Sequence, residues 1–180
     1  EPGLLGQCQH EVGRLHYTLA SCKKAESAYL RAMQTLSSAG QPDQLGALLE
    51  DLAGLHEKVG LYLAKGDTER MRSKRALRRC LGQAIRLRRA AGAPAALAGS
   101  LELAASYHRL LGGDGTKARK HLQRAHALRQ CCCRSRGSRT CLGQVPGLEE
   151  LERIERVEGK RTQTRAIHGR ILRIVRTHGT

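Results

Sequence analysis

Residues 8–40, CQHEVGRLHYTLASCKKAESAYLRAMQTLSSAG, contain two helical patterns joined by a short polar segment at residues 21–24. In the first pattern, Gly13 lies three residues before His16, so the two share a helical face. In the second pattern, residues spaced by four and then three positions form one face: Ala25, Tyr29 and Ala32. A small residue allows a neighbouring helix to approach closely, and a larger one fills the space beside it. The stretch therefore predicts a hairpin of two packed helices.

The same two patterns recur further along the chain. The small–x–large–His motif of residues 13–16 is found again at residues 53–56 and 105–108, at intervals of 40 and 52 residues. The second face recurs twice, at intervals of 52 and 41 residues, as Leu77, Leu81 and Ala84 and then as Ala118, Leu122 and Ala125. A single insertion of about twelve residues, placed between the second histidine motif and the second helical face, accounts for all four intervals.

These motifs resemble the tetratricopeptide repeat (TPR) family, in which helix A carries small–x–x–large and helix B carries Ala–x3–aromatic–x2–Ala. The long period is similar to that of kinesin-light-chain-type variants. The resemblance implies an all-α, TPR-like helix-turn-helix solenoid of about three helix pairs. It covers residues 4–130, with units at about 4–40, 43–92 and 94–130.

Composition independently favours helices. The 180 residues include no Phe or Trp and only four Tyr, so the core must be built mainly from Leu and Ala. Both are strong helix formers, and β-branched residues are scarce before residue 145. The chain begins with Glu1 rather than Met, which is typical of a fragment or a processed product.

The last third of the chain has a different character. Residues 131–147 are rich in Cys, Arg, Ser and Gly, and they predict a linker. Residues 148–180 predict a short helical or partly disordered basic tail, in which isoleucines at positions 167, 171 and 174 oppose arginines. Such a segment can cover the terminal apolar face of a repeat array.

The resemblance implies a non-catalytic protein–protein interaction scaffold or adaptor that binds a peptide or a partner protein in a groove lined by the A helices. The positions that match this groove are Arg14, Tyr17, Glu50, Glu57, Lys58, Glu102 and Arg109. These side chains are mixed in charge, unlike the basic clamp with which chaperone-binding TPR proteins hold a C-terminal carboxylate. That specific function is therefore not supported.

Charge points to an alternative, a nucleic-acid-associated protein. The formal net charge is +16 and the pI is near 10.3, a balance that favours polyanions. The predicted helix at residues 69–91 is the most basic, and five of its arginines fall near one stripe: Arg72, Arg75, Arg79, Arg86 and Arg89. Such a stripe can follow a phosphate backbone, although it lacks the aromatic residues that stack on single-stranded bases. The basic tail belongs to the same hypothesis.

No pattern of a catalytic, metal or cofactor site stands out. The recurring histidines at positions 16, 56 and 108 occupy a packing position of the repeat, and the ligand-type residues from His121 to Cys141 lack the paired spacing of a zinc site. Neither a phosphate-binding loop nor a nucleophile elbow is present in the sequence. We therefore expect no enzyme activity, no metal and no cofactor.

The number and spacing of the cysteines suggest in which cellular compartment the protein is found. The seven cysteines are odd in number and scattered, which favours a reducing intracellular environment. The sequence has no secretory signal and no apolar run long enough to cross a membrane. These features predict a cytoplasmic protein, with the nucleus as the alternative, and they leave the oligomeric state open.

Overall fold

The computed structural model describes residues 1–62, 68–109, 115–135 and 144–178, without the side chains of residues 133–135 and 178. Within these ranges the chain forms eight α-helices and no β-strand. The helices are α1 (Pro2–Thr18), α2 (Cys22–Ser38), α3 (Pro42–Tyr62), α4 (Thr68–Ala90), α5 (Pro94–Tyr107), α6 (Gly115–Ser135), α7 (Val145–Val157) and α8 (Arg161–His178). The chain divides into a first unit, Glu1–Ala93, and a second unit, Pro94–Thr180. The all-α class is confirmed.

Several helices end in the same type of turn. A residue with positive φ follows the helix, and the next backbone N–H donates to a carbonyl five residues earlier. At the end of α2, Gly40 has a φ of 64° and the Gln41 N–H donates to the Leu36 carbonyl at 3.2 Å. Pro42 then begins α3, and Pro94 begins α5 after the equivalent turn at Gly92. Glycine just after a helix and proline shortly beyond it are sequence signals for a helix end, and they separate these helices.

Glycines bring α1 very close to α2. A Cβ atom added at Gly13 would lie 2.4 Å from the Tyr29 ring, and one added at Gly6 would lie 2.6 Å from the Leu36 side chain. Both of these α2 side chains are almost completely buried. The predicted pairing of a small residue with a large one is confirmed, with Tyr29 in place of His16 as the residue that fills the space beside Gly13.

The core of the first unit lies between α2, α3 and α4. The α2 face predicted from the sequence is buried, with Ala25, Tyr29 and Ala32 at 0%, 1% and 0% exposure. This face of α2 packs against leucines of α3 that recur every three or four residues and so lie on one side of that helix. The residues of the two resulting clusters include Leu36, Leu45, Leu48, Leu49, Leu52, Leu55 and Ala84.

The predicted insertion lengthens both helices of the second pair. Helices α3 and α4 contain 21 and 23 residues, whereas α1 and α2 contain 17 each. The extra residues lie at the end of α3 and at the beginning of α4, on either side of residues 63–67, which are outside the described ranges. The insertion therefore leaves the packing motifs of both helices in place.

The second unit repeats this packing with fewer apolar residues. Ala118 and Leu122 of α6 cluster with Ala105 of α5 and Ile154 of α7. In the residues predicted as a tail, α8 contributes Ile171 and Ile174 to a cluster with Leu148 of α7. Of the two alternatives predicted for the tail, helical or partly disordered, residues 145–157 and 161–178 are helical. Because Leu148 of α7 and the isoleucines of α8 bury one another, these two helices form a further helix pair.

The start of the predicted linker is wrong. Helix α6 continues through Cys131 and Cys132 to Ser135. The sequence contains no helix breaker before Gly137, and a basic composition alone does not end a helix. Residues 136–143 lie outside the described ranges, and α7 begins at Val145.

Candidate protein-binding surface

Three of the predicted groove residues meet in the first unit. The ammonium group of Lys58 lies over the ring of Tyr17, 4.7 Å from its centroid, which is a favourable cation–π distance. Both side chains line a cavity of about 410 Å³ together with Glu57. The other described residues that line it are Gly54, Leu61 and Tyr62. The end of α1 and the last two turns of α3 thus form one surface.

The rim of this surface exposes apolar side chains. Tyr62 is 81% exposed and Leu61 is 50% exposed, although both close a helix whose earlier leucines are buried. A large exposed aromatic residue beside a charged pair is a typical anchor in protein interfaces. We call the set Tyr17, Gly54, Glu57, Lys58, Leu61 and Tyr62 the α1/α3 surface.

Arg14 lies one turn before Tyr17 in a charged cluster. Its guanidinium contacts Glu11 at 3.1 Å and Asp51 at 3.6 Å. The same Asp51 carboxylate lies 2.9 Å from Nε2 of His10. Hydrogen bonding to Glu11 and the nearby carboxylates raise the pKa of Arg14. This cluster links α1 to α3 and places a positive side chain next to the α1/α3 surface.

The remaining groove candidates are engaged in ion pairs between helices. Glu50 of α3 lies 3.7 Å from Nε of Arg88, a residue of α4. In the second unit, Arg129 donates to both carboxylate oxygens of Glu102, at 2.7 and 2.6 Å. Arg109 pairs with Glu150 of α7. The structure therefore brings Tyr17, Glu57 and Lys58 together but places Glu50, Glu102 and Arg109 in helix-to-helix contacts.

Comparison with known proteins identifies the fold. No protein-family profile and no curated protein matches the sequence. Among solved structures, BtubC (BKLC) from P. vanneervenii superposes with a TM-score of 0.77 over 99% of this chain, at 16% identity. A kinesin light chain from Podosopora anserina with nearly identical TPR-like repeats gives a TM-score of 0.51 over 100% of this chain and 99% of its own, at 15% identity. The chain spans 66% of the length of BtubC.

This chain has a TPR-like fold. The long-period, kinesin-light-chain-like resemblance expected from the sequence is confirmed at the level of the fold. TPR-like repeats are typical of protein–protein interaction. None of the helices among the described residues is long and apolar enough to cross a lipid bilayer.

Sequence patterns did not identify Asp51, Leu61 and Tyr62 as parts of the site. Asp51 is separated by 41 positions from His10, so their contact follows only from the packing of α1 on α3. Leu61 and Tyr62 fall in the insertion, which the repeat motif does not cover. Because α3 continues through both residues, Gly54, Lys58, Leu61 and Tyr62 form a helical stripe.

The recurring histidines of this TPR-like chain occupy packing positions. His56 and His108 are partly buried, and burial lowers the pKa of His56. The His108 ring stacks on the His121 ring, with centroids 5.4 Å apart and planes inclined by 11°. Within the described part of the chain, no group of three or more His, Cys, Asp or Glu residues is arranged to hold a metal ion.

The arginine stripe predicted from the sequence lies on the face of α4 opposite its buried residues. Arg72, Arg75, Arg79 and Arg86 line one concave surface and are exposed, as is Arg89. The helix contains nine Arg and Lys residues and a single acidic one, Glu69, which contacts Arg72 at 3.8 Å. In the described ranges, no carboxylate pairs with the other four members of the stripe.

Proposed function

We propose that this chain is a non-catalytic scaffold or adaptor that binds a partner protein or peptide on the α1/α3 surface. The observation that carries the proposal is the convergence of Tyr17, Glu57 and Lys58 with the exposed Leu61 and Tyr62 around one cavity. An interaction role is also what the TPR-like fold favours.

The chemistry of the surface suggests the kind of partner. Leu61 and Tyr62 offer apolar area, and the Lys58 ammonium offers a donor to a carboxylate. A peptide that places an apolar side chain beside an acidic residue matches both features. Arg14 extends the positive side of the surface along α1.

The test is affinity capture followed by binding measurements on single variants. The wild-type chain is used to capture partners from lysate, with and without nuclease, at low and at physiological salt. For a captured protein, Tyr62→Ala and Lys58→Glu are each expected to weaken binding at least tenfold, since interface anchors typically contribute about 1–2 kcal/mol or more. Binding that is unchanged in both variants would show that the partner uses another surface.

Some groove candidates are unsuitable for this test because their substitution would also perturb the fold. Charge reversal at Glu50 or Glu102 breaks a contact with Arg88 or Arg129 and so perturbs the fold. Leu30→Ala is the matched control, because Leu30 is an exposed apolar residue of the same unit on another helix, at 43% exposure. This variant is expected to bind as the wild type does.

The arginine stripe supports a second candidate function, binding to nucleic acid. Arg72 and Arg89 are separated by about 25 Å along the helix axis, at a rise of ~1.5 Å per residue. Four of the five arginines have no carboxylate partner among the described residues, so their charge is available to phosphates. If four or five phosphates are neutralised, the logarithm of the binding constant falls with the logarithm of salt concentration, with a slope of about −4 for a duplex and about −3 for a single strand.

A fluorescence-anisotropy titration with duplex and single-stranded oligonucleotides tests this second candidate. The variant Arg75→Gln/Arg79→Gln/Arg86→Gln should lose most of the affinity and of the salt dependence. The control variant neutralises Lys23, Lys24 and Arg31, which are exposed on α2 and lie outside both the stripe and the basic tail. A binding curve that is independent of salt, or equal losses in both variants, would exclude a role for the stripe.

Either function is proposed for the interior of the cell, with the cytoplasm as the site of the scaffold and the nucleus as the alternative. Among the residues whose side chains the structure describes, no disulfide joins any of the cysteines, which supports a reducing environment: Cys8, Cys22, Cys80, Cys131 and Cys132.

A further inference from the structure

Helix α1 has its apolar face on the outside. The residues that it buries against its neighbours are glycines, at positions 3, 6 and 13. Its large apolar side chains are exposed instead, with Leu5 at 54%, Val12 at 45% and Leu15 at 57%. Leu19, directly after the helix, is 64% exposed. Since α1 lies on α2 through glycine, its leucines contribute nothing to the core of the first unit.

The exposed residues follow a heptad spacing. Leu5, Val12 and Leu19 are each seven positions apart, and Cys8 and Leu15 follow the first two by three positions. These are the a and d positions of a coiled coil, repeated over two heptads. Cys8 is exposed like its neighbours. We call Leu5, Cys8, Val12, Leu15 and Leu19 the α1 seam.

The α1 seam is distinct from the proposed binding surface. Tyr17 points to α3, whereas Leu15 and Leu19 lie on the other side of the helix. A seam of this kind packs against a second helix that carries the same spacing. The described part of the chain that packs against α1 belongs to α2 and α3, and neither covers the seam.

We propose that the α1 seam joins two copies of this chain in a parallel, two-stranded helix dimer. A second copy supplies the required partner, since its own α1 carries the identical heptad spacing. A β-branched residue at an a position with Leu at the following d position favours two strands, as in Val12 and Leu15.

The flanking polar residues agree with the parallel arrangement. Glu11 lies at a g position and His16 at the e position five residues later. In a parallel pair these positions face each other across the interface, so Glu11 of each copy is placed beside His16 of the second copy. The Glu11 side chain is 66% exposed, although it also contacts Arg14 on its own helix.

The size of the seam indicates a reversible dimer. Two such faces with their flanking polar residues bury on the order of 1,000 Å², near the lower limit for a specific interface. The fraction of dimer should therefore rise with protein concentration. The proposal is independent of the α1/α3 surface and can be tested without a partner protein.

Sedimentation velocity of the wild-type chain over a wide concentration range is the first measurement. We expect a monomer–dimer equilibrium, and Val12→Glu/Leu15→Glu should raise the dissociation constant at least tenfold because it buries unpaired charge in the seam. Leu30→Glu, which alters an exposed leucine on α2, should leave it unchanged. Circular dichroism confirms that each variant is folded. A chain that is monomeric at every concentration overturns the proposal, as does a dimer that tolerates the double substitution.

Cys8 reports the register of the two helices. In a parallel dimer the two Cys8 residues occupy the same d layer and lie next to each other. Mild oxidation should therefore trap a disulfide-linked dimer that is lost in Cys8→Ser and retained in Cys131→Ser. A dimer in solution that forms no link through Cys8 overturns the parallel arrangement.

Discussion

At the level of single residues, α1 packs on α2 through positions that have no side chain. Alanine at position 13 would place its Cβ 2.4 Å from the buried Tyr29 ring. We predict that Gly13→Ala lowers the free energy of unfolding by about 1–3 kcal/mol, because overpacking outweighs the better helix propensity of alanine. Urea denaturation followed by circular dichroism measures the change.

Gly54 provides the matched control for this substitution. A Cβ atom added there meets no atom within 4 Å, so Gly54→Ala should raise the free energy of unfolding by up to about 1 kcal/mol. The two glycines lie in the same unit and differ mainly in this contact. Equal stabilisation by both substitutions would contradict the close approach of α1 and α2.

Ala20 holds a conformation that alanine rarely adopts. Its φ is 57°, and it ends α1 where the other turns have glycine. We predict that Ala20→Gly raises the free energy of unfolding by about 0.5–1 kcal/mol, since a left-handed backbone is costly for a residue with a Cβ atom. Thermal denaturation measures the gain. The reverse substitution at Gly40, whose φ is 64°, should lower the melting temperature.

Sequence patterns predicted the positions of individual residues where the repeat motif specifies them. The buried face of α2 and the position of Tyr17 near Lys58 both follow from the repeat motif. The pairing of Glu102 with Arg129 could not be found this way, because a charged residue reaches whichever opposite charge the packing of two helices places nearby. Among the groove positions taken from the repeat, Glu50, Glu102 and Arg109 are therefore engaged in ion pairs that the motif does not show.

At the level of helices, α3 and α4 are held together by a largely buried arginine. The Arg88 side chain is 11% exposed and contacts Asp43 at 3.2 Å and Glu50 at 3.7 Å. We predict that Arg88→Ala lowers the free energy of unfolding by about 1–3 kcal/mol, since it leaves the partly buried Glu50 without this contact. Denaturant unfolding measures the loss.

Arg89, next to Arg88 in the sequence, provides the control for the Arg88 substitution. Arg89 is exposed and has no carboxylate partner among the described residues, so Arg89→Ala should change stability by less than about 0.5 kcal/mol. Similar losses in the two variants would mean that overall charge, rather than the contact between α3 and α4, determines the effect.

Helix boundaries were predictable where glycine and proline mark them. Gly40 with Pro42 and Gly92 with Pro94 separate helices as expected. Without such marks a boundary was misplaced, as in the extension of α6 to Ser135. The pairing of α7 with α8, which follow one another across Gly159, was not predicted. The isoleucines of α8 form an apolar stripe, but its partner on α7 lies about twenty residues away, and only tertiary packing shows that the two stripes meet.

At the level of the whole molecule, both units combine apolar clusters with ion pairs between helices, in different proportions. Apolar clusters dominate the first unit. In the second unit, arginine–carboxylate contacts join the helices, among them Arg129–Glu102 and Arg119–Glu155. The second unit also buries both ring nitrogens of His126 with no hydrogen-bond partner in the described part of the chain. Its stability should therefore depend on pH.

The direction of this dependence follows from the titrating groups of the second unit. Burial, with a smaller contribution from Arg170, lowers the pKa of His126 from 6.5 to about 4. Between these values the unfolded chain binds a proton that the folded chain excludes, so stability is complete above pH 6.5 and falls as the pH drops towards 4. Contacts with Lys160 and Arg119 lower the pKa of Glu158, and protonation of that carboxylate at still lower pH acts in the same direction.

Hydrogen–deuterium exchange at neutral and at mildly acidic pH measures the effect in each unit. After correction for the intrinsic pH dependence of exchange, protection of α6 and α8 should decrease on acidification. Because His126 is only about half buried, its contribution is at most about 1–2 kcal/mol. His126→Leu removes the titrating ring and should abolish that part of the loss. If this variant and the wild type lose protection equally, the acid sensitivity arises from the carboxylates of the second unit and not from the buried histidine.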